Sequence, residues 1–219
     1  MSNLVTYEVR GNVALITLNR PDARNAVNDE LAADMEACID RLEADDSVWV
    51  GVLTANTEGH KSPVFCAGAD LKSPPGQLSE GSSRAVPYAD VLTAILDSPK
   101  PVIAAINGAC AGLAFAIATM TDMRIVERNA KFSTAFSQRG LVAEHGVSWT
   151  LSRLIGSGNA LDLLWSARKF NGEEAKQIGL AERLVEDGES RQAPEDYIRT
   201  LAANAAPVSI QVIKAQVHR

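Results

Sequence analysis

Pro101-Val102-Ile103-Ala104-Ala105-Ile106-Asn107-Gly108-Ala109-Cys110-Ala111-Gly112 is the stretch on which the reading of the fold turns. It runs from an apolar, strand-like segment into small residues and then towards a helical pattern. Phe65-Cys66-Ala67-Gly68-Ala69-Asp70-Leu71, earlier in the chain, follows the same plan. Small residues let a second backbone or a ligand come close. A helix start leaves several N–H groups without partners inside the helix. Two such starts facing one another aim two donors at one oxygen. That arrangement stabilises an oxyanion without a charged side chain.

Outward from these segments the pattern alternates. Residues 6–9 and 12–18 read as strands joined at Gly11. Residues 20–25 form a loop. Asn28 is placed to cap a helix that carries Leu31, Met35, Ile39 and Leu42 at helical spacing. Residues 48–54 are a strongly β run, 55–63 a polar loop, and 64–66 a short strand. Residues 73–87, rich in Pro, Gly and Ser, are expected to be mobile. Val91, Leu92, Ile95 and Leu96 mark the next helix. Residues 101–106 are a buried strand, and 112–119 a helix so apolar that it belongs in the core. Strands follow at 123–126 and 131–133, then helices at 147–155 and 159–167 separated by Gly156-Ser157-Gly158. Short helical pieces surround a last strand-like stretch, 181–185. Strand, strand, helix, repeated and then followed by helices, is an α/β protein with a helical tail. No internal sequence repeat is visible.

The chain has 219 residues, 46% of them hydrophobic, enough for a sizeable core in one or two domains. A formal net charge of −6 and the lack of a basic run argue against a nucleic-acid surface. The first eight residues lack the basic and apolar regions of a signal peptide, and no transmembrane helix is read. Cys38, Cys66 and Cys110 fit neither a disulfide framework nor a zinc site. Buried thiols in a reducing, cytoplasmic setting are expected. No metal-ligand cluster, P-loop or dinucleotide fingerprint appears.

Four segments resemble the crotonase superfamily, the enoyl-CoA hydratases and isomerases. They are Leu18-Asn19-Arg20-Pro21 with Arg24-Asn25-Ala26; residues 65–71; residues 100–108; and Ala175-Lys176-Gln177-Ile178-Gly179-Leu180-Ala181. They stand in family order with family-like spacing across nearly the whole chain. The resemblance implies a crotonase-like core of repeated ββα units over residues 1–190, and a C-terminal helical region, incomplete here, over 191–219. It implies an acyl-CoA thioester as ligand, with coenzyme A as part of the substrate, no tightly bound cofactor and no metal. It further implies that the backbone N–H groups of Ala69 and Leu113 grip the thioester oxygen. Ala23, Arg24, Ala26, Ala67, Gly68, Asp70, Leu71, Gly112 and Phe136 are the matching substrate-binding positions. Many relatives carry glycine at the position of Leu113, so its side chain must point away from the thioester. Relatives assemble as trimers through their helical tails, and a homotrimer or a pair of trimers is expected.

The acid–base residues discriminate among family reactions. Typical hydratases use two glutamates, and the matching positions here are Ala116 and Phe136, neither of which moves a proton. Glu144, in Gly140-Leu141-Val142-Ala143-Glu144-His145-Gly146, matches the carboxylate of a branch of enoyl-CoA isomerases. One carboxylate suits isomerisation: it takes a proton from carbon 2, two backbone donors hold the dienolate, and the same group returns the proton at carbon 4. Burial against Phe136 and Trp149 is expected to raise the pKa of Glu144. Two other readings remain open: hydration or hydrolysis with Glu144 activating water, and a non-catalytic acyl-CoA-binding relative. A buried Glu144 favours an enzyme and a solvent-facing one a binder.

Other residues take blander readings. His145 is read as a loop residue or one outside the first layer around the ligand, Cys66 as a small buried residue, and Asp70 as a helix cap. Arg24 is read as a CoA phosphate partner or a solvated surface arginine, and Trp149 and Trp165 as core.

Overall fold

Strands β1 (Val5–Arg10) and β2 (Val13–Leu18) turn at Gly11 and pair antiparallel. The chain then enters α1 (Asp29–Ala44), where the Asn28 side chain accepts the Leu31 N–H at 3.0 Å. The structure is a computed structural model that describes residues 3–59, 61–72 and 88–218. The segment expected to be mobile, 73–87, lies outside the described residues.

After α1 a unit recurs. β3 (Val50–Ala55) and β4 (Val64–Cys66) precede α2 (Tyr88–Asp97). β5 (Val102–Ile106) and β6 (Ala109–Ala111) precede α3 (Leu113–Met120). β7 (Met123–Glu127) and β8 (Lys131–Ser133) precede α4 (Val147–Ser166). The rest is β9 (Phe170–Asn171), α5 (Gly172–Gln177), β10 (Arg183–Val185), α6 (Gln192–Asn204) and α7 (Pro207–His218). Among the described residues the strands form two sheets, ordered β1-β2-β3-β5-β7-β10 and β4-β6-β8-β9. The first strand of each later unit enters the large sheet and the second the small one. Only the β1–β2 and β8–β9 pairs are antiparallel.

Central strands of the large sheet are buried on both faces, which is why they read as continuous apolar runs. One face sends Ile16, Leu18, Leu53, Ala104, Ile106 and Val126 into the main core with α1, α2, α3 and α4. The other sends Val13, Leu15, Val50, Val52, Ile103, Ala105 and Ile125 against Ile198 of α6. Every residue of α3 is buried, as its composition requires. The two units around β4 and β6 meet at Gly108. A Cβ there would lie 2.5 Å from the Pro63 carbonyl carbon, so only glycine permits this contact.

Polar groups dock the tail. Lys214 of α7 is buried, donates to the carbonyls of Ile95 and Lys100, and pairs with Asp122 at 2.9 Å; His218 Nε2 reaches the other Asp122 oxygen at 2.9 Å. The two helices expected at 147–155 and 159–167 form one element with a break at Gly156 (φ 75°, ψ 157°). These αβ layers and C-terminal helices are those of a crotonase-like fold.

Candidate active site

The segment after β4 is held by the loop that follows β2. Ala67 N–H donates to the Arg24 carbonyl at 3.1 Å, Val27 N–H to Gly68 at 2.8 Å, and Asp70 N–H to Val27 at 2.8 Å. Ala69 is therefore the bridge partner of Val27. In a parallel bridge of this hand the bonds run through Gly68 and Asp70, and the N–H of Ala69 points the other way. Among the described residues that N–H has no backbone acceptor. The sequence expectation of a helix start at Ala69 is thus replaced by a β-bridge followed by a turn at Leu71 and Lys72. Asp70 does not cap a helix among the described residues. Its Oδ1 accepts the Lys72 N–H at 2.9 Å and its Oδ2 pairs with Arg20 at 2.7 Å. Arg20 also donates to the Ala26 carbonyl, so one side chain ties the loop to the segment.

The second segment meets the first at Gly68. Its φ of 99° suits glycine, and a Cβ there would sit 2.7 Å from the Ala111 carbonyl oxygen and 3.3 Å from the Leu113 nitrogen. Two backbones thus touch where Ala69 and Leu113 stand. Leu113 is the first residue of α3, so its N–H is one of the donors a helix leaves unused. The Leu113 side chain is buried in the main core.

A cavity of about 140 Å³ opens beside this contact. Ala67, Gly68, Ala69 and Leu71 line one side, and Ala111, Gly112 and Leu113 another. Thr134, Ala135, Phe136, Arg139, Leu141, Glu144 and His145 close the remainder. Ala23, Arg24 and Ala26 are not in its wall; Arg24 is exposed, and their loop braces the rim. Ala116 is wholly buried in α3 and does not reach the cavity, whereas Phe136 forms part of its wall.

Among the described residues Glu144 is the one acidic residue in this wall. The expected burial against Trp149 does not occur: the Glu144 side chain is 41% exposed, and Trp149 lines a different cavity with Arg153 over its ring. Glu144 is therefore neither sealed in apolar surroundings nor turned away from the cavity. His145 is a loop residue, as expected, in the turn before α4, and it lines the wall beside Glu144 with Nε2 4.0 Å from a Glu144 oxygen. Its left-handed φ of 56°, next to Gly146 at 72°, makes the sharp bend that enters α4. Trp149 and Trp165 are half-exposed and exposed, not core, because the helical period that places Leu151 and Leu163 inward turns them out.

Cys66 and Cys110 are fully buried neighbours on β4 and β6. Burial pushes the Cys66 thiol up to about 12 and Cys110 well above its ordinary range. Neither lines the cavity, and a protonated thiol is a poor nucleophile. Among the described residues no set of His, Cys, Asp and Glu side chains could hold a metal ion, and no helix is long and apolar enough to cross a membrane.

Sequence reasoning missed Thr134, Ala135, Arg139 and Leu141. They reach the wall because the chain after β8 doubles back, with the Phe136 carbonyl accepting the N–H of both Arg139 and Leu141. The left-handed turn at Gly140 was the available signal.

Known proteins are similar to this chain over nearly its full length. The family described as enoyl-CoA hydratase/isomerase matches residues 8–219. The short-chain-enoyl-CoA hydratase of Clostridium acetobutylicum is 34% identical over 99% of this chain and 82% of its own. The 1,2-epoxyphenylacetyl-CoA isomerase of Escherichia coli is 33% identical over 92% of this chain and 77% of its own. The crystal structure of an enoyl-CoA hydratase from Bacillus anthracis superposes with a TM-score of 0.88 at 27% identity, covering 97% of this chain and 81% of that one. With the ββα units, the touching glycine segments and these matches in place, the chain belongs to the enoyl-CoA hydratase/isomerase family of the crotonase superfamily.

Proposed function

We propose that this chain shifts the double bond of an enoyl-CoA, with Glu144 as the acid–base residue. The carrying observation is that, among the described residues, Glu144 is the one carboxylate lining a cavity whose wall also holds Ala69 and Leu113. A thioester oxygen seated between the N–H groups of those two residues becomes more negative as a proton leaves carbon 2. Preorganised donors favour that charge more than they favour the starting thioester. Glu144 takes the proton and delivers it to carbon 4, so no second acid is needed. Loss of acid at Ala116 and Phe136 agrees with a one-carboxylate reaction.

Water addition is the competing reading. The exposure of Glu144 lets water reach it, and hydratase names outnumber isomerase names among the similar proteins. Incubation with a panel of 2-enoyl- and 3-enoyl-CoAs separates the two. Interconversion of 2-enoyl and 3-enoyl products supports isomerisation. Rapid formation of 3-hydroxyacyl-CoA overturns it in favour of hydration, and free acid in favour of hydrolysis.

A further inference from the structure

Among the described residues Arg139 is the one cation in the cavity wall besides the titratable His145. Its neighbours explain how it gets there. Ser137 Oγ donates to the Trp165 carbonyl at 2.9 Å, and Gln138 Nε2 donates to the Ser166 and Ala167 carbonyls at 3.2 Å. These bonds tie the short turn Ser137–Arg139 to the end of α4. The Arg139 and Leu141 N–H groups both close on the Phe136 carbonyl. The turn is fixed on both sides, and Arg139, itself exposed, is the residue of the turn that lines the cavity.

Most arginines of this chain are committed. Arg10, Arg20, Arg124, Arg128, Arg168 and Arg199 pair with carboxylates. Arg41, Arg153 and Arg183 lie over aromatic rings. Among the described residues Arg139 has neither partner. A structural ion pair was close at hand, because Glu144 lines the same cavity, yet no Arg139–Glu144 pair forms. Two opposite charges are instead held apart in one small, largely apolar wall. Glu144 stands with the reacting end, and Arg139 offers a planar fork suited to a carboxylate.

We infer that Arg139 is a specificity-determining residue that receives a carboxylate on the far part of the acyl chain, so that the site prefers carboxyl-bearing acyl-CoAs over plain ones. This rests on the reading of the cavity as the acyl-CoA site. An anion could also come from a coenzyme A phosphate. The cavity favours the acyl source, since Arg139 lines the same space of about 140 Å³ as Ala69 and Leu113. An apolar wall without the arginine would disfavour a buried carboxylate and accept a methyl group.

Titration calorimetry with hexanoyl-CoA, hexanedioyl-CoA and free coenzyme A tests this on the wild type, Arg139→Leu and Arg139→Lys. The wild type should bind hexanedioyl-CoA at least about tenfold more tightly than hexanoyl-CoA, the scale of one charge-assisted bond. Arg139→Leu should weaken hexanedioyl-CoA by about 10- to 100-fold and leave the other two within about twofold. Arg139→Lys should recover part of the preference. Equal wild-type affinities for the two thioesters overturn the inference, whatever the variants do. So does an equal loss for free coenzyme A in Arg139→Leu, which would assign the arginine to a phosphate. If none of the three binds, this inference and the acyl-CoA reading fall together. If the preference is present but no enoyl-CoA is converted, the specificity stands and the proposed reaction falls.

Discussion

At the scale of single residues, the site depends on one atom that is missing. Gly68 lacks a Cβ, which lets its backbone touch Ala111, and its φ of 99° is strained for any other residue. Gly68→Ala should lower stability by about 1–3 kcal/mol and push Ala69 and Leu113 apart, so that turnover falls more than binding. Gly112→Ala is the control, because its φ is also left-handed (56°) but a Cβ there meets open space. Urea unfolding and steady-state kinetics on both variants check this; equal losses in the two would mean that the contact is not what matters. Cys66 gives a pH signature. Its folded thiol titrates near 12 against an ordinary 9.0. Between those values the folded form keeps a proton that the unfolded chain has lost. The stability from this group is whole below about pH 9 and is lost as pH rises towards 12. The advantage of wild type over Cys66→Ala should therefore shrink above pH 9, on the order of 1 kcal/mol per pH unit. Thermal unfolding at stepped pH measures it, and a gap that stays constant would contradict the burial assigned to Cys66.

At the scale of elements, α3 carries the most specific test. Leu113 occupies its first position, where proline is tolerated because the N–H has no helical partner. Leu113→Pro and Leu113→Ala both lose buried side-chain packing, but only proline removes the donor. If the Leu113 N–H holds the thioester oxygen, the proline variant should turn over about 10²–10³-fold more slowly than the alanine variant. Equal rates in two folded variants would free Leu113 from that role. The elements themselves were largely legible. Strands buried on both faces, the Asn28 cap and the all-apolar α3 announce themselves through composition and spacing. β6 and β9 did not, because the small residues of β6 run straight into α3 and β9 has only two residues. The candidate cavity was legible at Gly68, Ala69 and Gly112, which line it. It was less so where side-chain direction decides. Arg139 reaches the wall through a turn closed on the Phe136 carbonyl, for which Gly140 is the cue in the sequence, and Trp149 stays out of it because the helical period of α4 turns it outward.

At the scale of the whole molecule, α7 docks through Lys214 and His218 and leaves Val208, Val212, Ile213 and Val217 exposed along the helix. The family resemblance implies association through the tail, and such a face favours burial by a partner. Light scattering at micromolar concentration should give a mass near three or six times the 23.3 kDa chain; a mass at the monomer value would contradict it. The reaction is a property of the same whole. It is tested most directly by the product-resolved turnover of a 3-enoyl-CoA with wild type and Glu144→Gln. Wild type should convert it to the 2-enoyl thioester, and Glu144→Gln should do so about 10²–10⁴-fold more slowly while still binding the acyl-CoA. Turnover by Glu144→Gln at the wild-type rate would contradict the assignment of Glu144 as the group that moves the proton.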